Sequence, residues 1–433
     1  MDKIKIIGAG LAGTEAAYYL AERGFKVKLL DIKPKKFTPA HSNENFGELV
    51  CSNSLKGKDA YSNACGLLKG EMAAIGSLLI KAAEFSQIPA GGALAVDRDK
   101  FAQVITDKIR SHPNIECACE EAESIPPSPC IIATGPLTCD ALAEDIRARF
   151  GGGLHFYDAS APIVSRGSVN MDCAFFGDRY GKGGDDYLNC PMNREQYEQF
   201  VCELINAERA VLHEFEKREI FEGCMPLEVM AARGAETLRF GPFKPVGLRD
   251  KDGNKFYAVL QLRKENAAGE AYNLVGCQTN LKFGEQKRVF SLIPALKEAE
   301  FLRYGVMHRN TYLNSPDCLN ADFSVKGQPL LFFAGQMTGV EGYVESAASG
   351  LLAAVHMARK IAGKEAILPP ATTVLSALSA HIAGATDNFQ PMNANFGILP
   401  PLEKAVRDKK ERYALLASRA LKDVQNYAKE IKQ

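Results

Sequence analysis

Hydrophobic and polar positions fall into two textures along the chain. Up to about residue 135, short apolar runs at Ile4 to Ile7, Lys26 to Asp31 and Cys130 to Ala133 read as buried strands. Segments of helical composition lie between them, at Thr14 to Arg23, Leu67 to Ala83 and Asp99 to Arg110. The last of these sets Phe101, Val104, Ile105 and Ile109 on one face. Ala90 to Leu94 reads as a tight connection. Strand alternating with helix predicts an α/β fold built on a parallel, doubly wound sheet. From about Ala161 to Leu319 aromatics, glycines and charges interleave instead. Strand-like runs occur there at Phe256 to Leu262 and Ala271 to Gln278, and helical runs at Gln196 to Ala210 and Glu285 to Phe301. The first texture then returns, with a strand over Leu330 to Ala334 and a helix over Val344 to Ile361. Ala347, Ala348, Gly350, Ala353 and Ala354 give that helix faces small enough for close packing.

The predicted organisation is therefore a Rossmann-like unit over residues 1–160 and 320–433, interrupted by an inserted α+β domain over 161–319. A helix from Glu403 closes the chain. Two stretches lack regular pattern, Lys33 to Ser62 and Asp387 to Pro401. Irregular segments of such length in compact domains usually serve a function.

Glycine-rich turns punctuate the first texture. The segment IKIIGAGLAGTEAA places Gly8, Gly10 and Gly13 between a strand and a helix, which lets backbone approach a pyrophosphate at a helix N-terminus. Gly8, Ala9, Gly10, Leu11, Ala12 and Gly13 are the expected contacts. Asp31 ends the next strand, where a ribose hydroxyl of a dinucleotide would lie. A second turn, FFAGQMTGVEGYVESAASG, holds Gly335, Gly339 and Gly342 ahead of the late helix. An N-terminal fingerprint, an ATGP strand end near residue 135 and this late turn together favour FAD over NAD. The late helix would then point its positive end at the flavin. No second fingerprint and no CxxC pair occur, which argues against a disulfide reductase with its own NADPH domain.

Composition narrows the remaining classes. The 433 residues carry 52 Lys and Arg against 52 Asp and Glu, so no global field draws nucleic acid or membrane. No apolar run is long enough to span a bilayer, and the chain opens directly into a strand without a signal peptide. Twelve scattered cysteines in such a chain read as reduced thiols of a cytoplasmic protein, and the seven histidines do not cluster with them into a metal site. The segment from Glu403 carries a net charge of +4, with Lys404, Arg407, Lys409, Lys410 and Arg412 placed to touch phosphates or to form a solvated face. Cys224 lies just ahead of a predicted helix, Leu227 to Ala232, for which Pro226 suits the first position; a helix start favours a thiolate. His41, His308 and Tyr343 are weaker candidates, for which ordinary packing or hydrogen bonding is the default.

Several blocks go beyond a generic flavoprotein. ELVCSNSL, NACGLLKGEM, IPAGGALAVDR, FEGCMPLEVMAARG, RYGVMHRNTY and NFQPMNANFG, with the two glycine turns, closely resemble the TrmFO family. These are bacterial folate- and FAD-dependent tRNA (uracil-5-)-methyltransferases related to GidA. Asp31 departs from the Glu expected there. The resemblance implies transfer of a methylene from 5,10-methylenetetrahydrofolate, through FAD reduced by NADPH or NADH, to C5 of a T-loop uridine in tRNA. It assigns catalysis to Cys224 as nucleophile and Cys51 as general base or flavin-side partner. Uracil C5 needs such help: a thiolate adding at C6 makes C5 nucleophilic, and a base must then take the C5 proton. It implies no metal and no membrane, and leaves the oligomeric state open. The same chemistry on ribosomal RNA, a GidA-like wobble modification and a non-catalytic flavin-stabilised RNA-binding protein stay open as alternatives.

Overall fold

Five parallel strands pair in the order Gln328–Phe333, Cys130–Ile132, Ile4–Ile7, Val27–Asp31 and Ile115–Cys119, so the start of the chain and its last third share one sheet. The short strand Ser324–Val325 closes one edge antiparallel. The computed structural model describes residues 3–151, 154–181, 184–210, 225–249, 253–384 and 389–432. Ile6, Leu29, Ile131 and Phe332 are buried across the sheet, as expected of strands covered on both faces.

Two helices cover the same face of this sheet. Leu11–Ala21 follows the first glycine turn and Tyr343–Ile361 follows the second. They cross so closely that a Cβ on Gly350 would overlap the Ala12 carbonyl. The small residues of the late helix, Ala347, Ala348, Ala353 and Ala354, are all buried.

The expected helix Leu67 to Ala83 is two helices, Ala64–Ile75 and Leu78–Phe85. Gly76 adopts φ 99°, a left-handed stop that the intervening glycine makes inexpensive. Ser77 then caps the second helix at the Ile80 N–H. Buried Glu15 accepts the Leu78 and Leu79 N–H groups at 3.0 and 2.8 Å, which fixes that helix against the first one. Glu71 does the same for Val374–Ala383, accepting the Val374 and Leu375 N–H groups, each at 2.9 Å. Burial pushes Glu15 up to about 7 and Glu71 up to about 8, against the pull of those N–H groups. Helices Asp140–Phe150 and Val374–Ala383 are additions to the sequence reading.

Residues 163–303 carry a six-stranded antiparallel sheet, in the order Phe175–Phe176, Tyr187–Met192, Ala258–Lys264, Ala271–Leu274, Ile163–Ser165 and Phe301–Arg303. Its core is separate and aromatic, with Tyr197, Phe200, Phe243 and Phe290 buried. The expected helix Glu285 to Phe301 ends at Phe290, because Pro294 starts a 3-10 turn and Phe301 joins the sheet edge. Strands Leu154–Ala159 and Met307–Tyr312 pair antiparallel where the chain leaves and re-enters the first sheet's layer.

The irregular stretch 33–62 contains one strand, Ser54–Gly57, which pairs with Ala93–Val96; Gln87–Ile88 completes that small sheet. The segment read as a tight connection is thus partly strand. The closing helix runs Lys409–Glu430, starting later than expected because Asp408 caps it at the Glu411 N–H. Its buried face of Leu416, Ala417, Ala420, Val424 and Tyr427 packs on Ala64–Ile75. Among the described residues no helix is long and apolar enough to cross a membrane.

Gly350→Ala puts a methyl group into backbone with no room to retreat. We expect a loss of about 2 kcal/mol, within the range for overpacked cores, read by chemical denaturation. Gly76→Ala, which meets no neighbour but needs φ 99°, should cost about 1 kcal/mol.

Candidate functional site

The two glycine turns open into one cleft that encloses about 1180 Å³ of empty space, its mouth included. Gly8 takes φ 99° and donates its N–H to the Leu30 carbonyl at 2.7 Å, tying the turn to the second strand. A Cβ there would strike the Ala133 carbonyl, and one on Gly13 would overlap Gly8 itself. Gly10 differs: nothing lies within 4 Å of its Cβ position, so it faces open cleft. Both helices that begin here, at Leu11 and Tyr343, lack a side-chain cap. Uncapped first-turn N–H groups beside a cleft are a donor set for an anion such as a pyrophosphate.

Asp31 lines the cleft, but its oxygens are already engaged. One accepts the Ala9 N–H at 2.7 Å and the other the Lys33 N–H at 2.9 Å. The acid therefore braces the first turn as well as facing a ligand. At the far end Gly335, Gln336, Tyr343 and Ser346 form the wall, with the Gly335 N–H held by Ser349 Oγ at 2.6 Å. Ala9, Leu11 and Ala12 line the cleft with Gly8 and Gly10. Gly13, Gly339 and Gly342 do not. Gly13 packs helix on strand, Gly339 leaves room for the Phe389 ring, and Gly342 leaves room for the Glu345 carboxylate.

Cys51 is half-buried on the loop beside this far end; its neighbour Val50 lines the cleft. The Tyr343 hydroxyl accepts the Cys51 N–H at 2.6 Å and the Ser52 N–H at 3.2 Å. Burial pushes that hydroxyl's pKa up, so it stays a neutral phenol. The same loop is clamped from the inserted sheet: Arg263 donates to Asn53 Oδ1 at 2.8 Å and to Ser52 Oγ at 2.7 Å. Arg98 bonds the Leu49 carbonyl and pairs with Glu265 at 2.8 Å. Burial alone would pull the Arg98 pKa down, and Glu265 more than offsets that.

A second charged group lines the middle of the cleft. Buried Lys33 and Glu48 pair at 3.6 Å, and Glu48 also accepts the Ser42 N–H and hydroxyl. His41 shares a 2.6 Å hydrogen bond with Thr38, and burial together with nearby Lys33 lowers its pKa. Arg303, at the edge of the inserted sheet, reaches the Ala40 carbonyl at 3.4 Å; burial and neighbouring Arg98 lower its pKa.

Cys224, and the side chain of His308, lie outside the described residues. Pro226 stands at the cap of the Leu227–Ala232 helix rather than at its first position, and that helix has only six residues. Sequence reasoning missed Arg98, Arg263 and Glu265, which are distant in the chain and meet only through the fold. Tyr343 was visible as a candidate; its anchoring of the cysteine loop was not.

The model of the GidA family, described as glucose inhibited division protein A, matches residues 3–365. A Staphylococcus epidermidis methylenetetrahydrofolate--tRNA-(uracil-5-)-methyltransferase TrmFO is 55% identical, covering 98% of this chain and 99% of the relative. One from Pelotomaculum thermopropionicum is 56% identical over 98% of each. The chain belongs to the TrmFO branch of the GidA family. The fold agrees: Aquifex aeolicus GidA superposes with a TM-score of 0.72 over 99% of this chain and 73% of GidA, at 15% identity.

Tyr343→Phe removes the acceptor from two N–H groups. We expect a stability loss of about 1–3 kcal/mol and faster proteolysis within residues 49–53, mapped by mass spectrometry.

Proposed function

We propose that this chain transfers a one-carbon unit from 5,10-methylenetetrahydrofolate to C5 of a tRNA uridine, in the T-loop, giving 5-methyluridine. The carrying observation is agreement over essentially the whole length of both chains with relatives named for that reaction. By contrast, the chain spans only 73% of the GidA structure it resembles.

The cleft fits FAD on its own evidence: an open floor at Gly10, two uncapped helix starts and an acid bracing the turn. Residues Gly8 to Ala12 with Asp31 would hold one half, and Gly335 with the Tyr343–Ser346 turn the other. FAD bound there supplies electrons taken from NAD(P)H and carrier chemistry for the one-carbon unit. The domain division follows: residues 1–160 and 320–433 hold the cofactor, and 161–319 shield it and receive substrate.

The chain's own residues supply acid–base and nucleophilic work. A thiolate, assigned to Cys224, forms a bond to uracil C6 and pushes an electron pair toward C5 and O4. C5 then takes the carbon unit. Cys51 takes the C5 proton or serves the flavin side. As that proton leaves, the carbon unit's bond to its carrier breaks and leaves an exocyclic methylene on C5. A hydride originating from NAD(P)H would reduce this to the methyl group while the sulfur–C6 bond breaks and the ring's double bond returns. Tyr343 and Arg263 hold the Cys51 loop in place, and Arg98 ties it to Glu265 through the Leu49 carbonyl.

Purified protein, tRNA transcript, NADPH and carbon-labelled methylenetetrahydrofolate should together yield labelled 5-methyluridine. No label in tRNA, with label appearing instead in ribosomal RNA or only after a partner GTPase is added, would contradict this reading. Cys51→Ala and Cys224→Ala should each lower the yield at least a hundredfold. Gly10→Leu should fill the open floor and abolish bound flavin while melting at the temperature of the flavin-free unaltered protein.

A further inference from the structure

The strand Ser54–Gly57 leads out from the Cys51 loop to a ridge of exposed cations. Lys58 stands at its end, and beyond it Lys404, Arg407, Lys409 and Lys410 are exposed at the start of the closing helix. Among the described residues none of these five forms an ion pair, whereas Lys282, Arg194 and Arg288 on the inserted domain do. The two banks of the ridge meet: Lys410 lies close enough to Asp59 to help lower that carboxyl's pKa, after Ser62 and Tyr61. Asp59, Glu403, Asp408 and Glu411 are the nearby acids. The Asp59 carboxylate is bonded within its own turn, and that of Asp408 caps the helix.

Placement of Lys409 and Lys410 is costly. They occupy the first two positions of the helix Lys409–Glu430, where the macrodipole disfavours cations. An aromatic pair adjoins them: Tyr413 stacks on Phe396 with ring centroids 4.2 Å apart, and Lys409 lies 5.4 Å from the Tyr413 ring. Tyr61 is about half exposed on the opposite bank. Unpaired cations beside the half-exposed Tyr61 ring suit a nucleic-acid backbone, with Tyr61 a face for one unstacked base. A bilayer is a poor match, because the helix's apolar face is spent on Ala64–Ile75.

We infer that Lys58, Lys404, Arg407, Lys409 and Lys410 form a phosphate-tracking ridge that holds the substrate RNA and leads its strand to the Cys51 side of the cleft. This rests on the proposed RNA function. The ridge supplies affinity and register through the backbone, without reading sequence.

The test is binding of a tRNA transcript to the flavin-loaded protein across a salt series. Replacing Lys58, Lys404, Lys409 and Lys410 together by Gln should reduce the slope of log affinity against log salt by roughly 3. Flavin content and its reduction by NADPH should be unchanged. Lys422→Gln with Lys429→Gln, at the far end of the same helix, should leave the slope as in the unaltered protein. A quadruple Lys→Arg variant should also retain it, and covers the case in which the Gln variant folds poorly. A wild-type slope in the Gln variant, or preferential binding of anionic vesicles over RNA, would overturn the ridge while leaving the catalytic reading intact. Unaltered protein that neither binds nor methylates any RNA would overturn both.

Discussion

The close crossing of the first helix on the late helix governs this structure. Ala12 and Gly350 allow their backbones to meet without an intervening side chain. That contact sets the distance between two glycine turns lying more than three hundred residues apart in the chain. With a wider crossing, the uncapped starts of the two helices would no longer face one cleft. The parallel sheet reinforces the arrangement, since Ile4–Ile7 and Gln328–Phe333 both flank Cys130–Ile132.

Polar contacts then carry the loop with Cys51 to this frame. It has little regular structure of its own, so its position comes from outside. Tyr343 supplies an acceptor from the late helix, while Arg98 and Arg263 supply donors from elements on either side. Asn53 is wholly buried, bonding Val96 of the small sheet and Lys264 of the inserted sheet. A buried amide satisfied from two directions fixes a loop more tightly than apolar packing, because any displacement strands its partners. The antiparallel sheet thus bears on the site: its longest strand, Ala258–Lys264, helps hold the cysteine loop.

Much of this was legible in sequence. Apolar runs and glycine spacing carried the parallel sheet, the first turn and the late helix, because those depend on local pattern. The break at Gly76–Ser77 was missed since helical composition continues through it; the Ser77 cap and the buried carboxylate of Glu15 make the second start worthwhile. Glu15 and Glu71 sit in largely apolar helices, and nothing local says which distant N–H groups they meet. The helix expected to reach Phe301 stops at Phe290, ahead of Pro294, which starts a 3-10 turn of its own. Of the site, Gly8, Gly10, Asp31 and Gly335 were legible from turn chemistry, whereas the packing roles of Gly13, Gly339 and Gly342 required knowing what their missing side chains would strike. Cys51 came from family resemblance alone. Its supporting arginines come from separate elements and leave no pattern in sequence.

The glycine-turn cleft and the Cys51 loop are proposed to form one site. Alkylation of flavin-free protein, with and without added FAD, tests it most directly when each cysteine's rate is followed by mass spectrometry. FAD should slow modification of Cys51 at least tenfold while exposed Cys117 and Cys202 react as before. Equal rates at Cys51 in both conditions would contradict it.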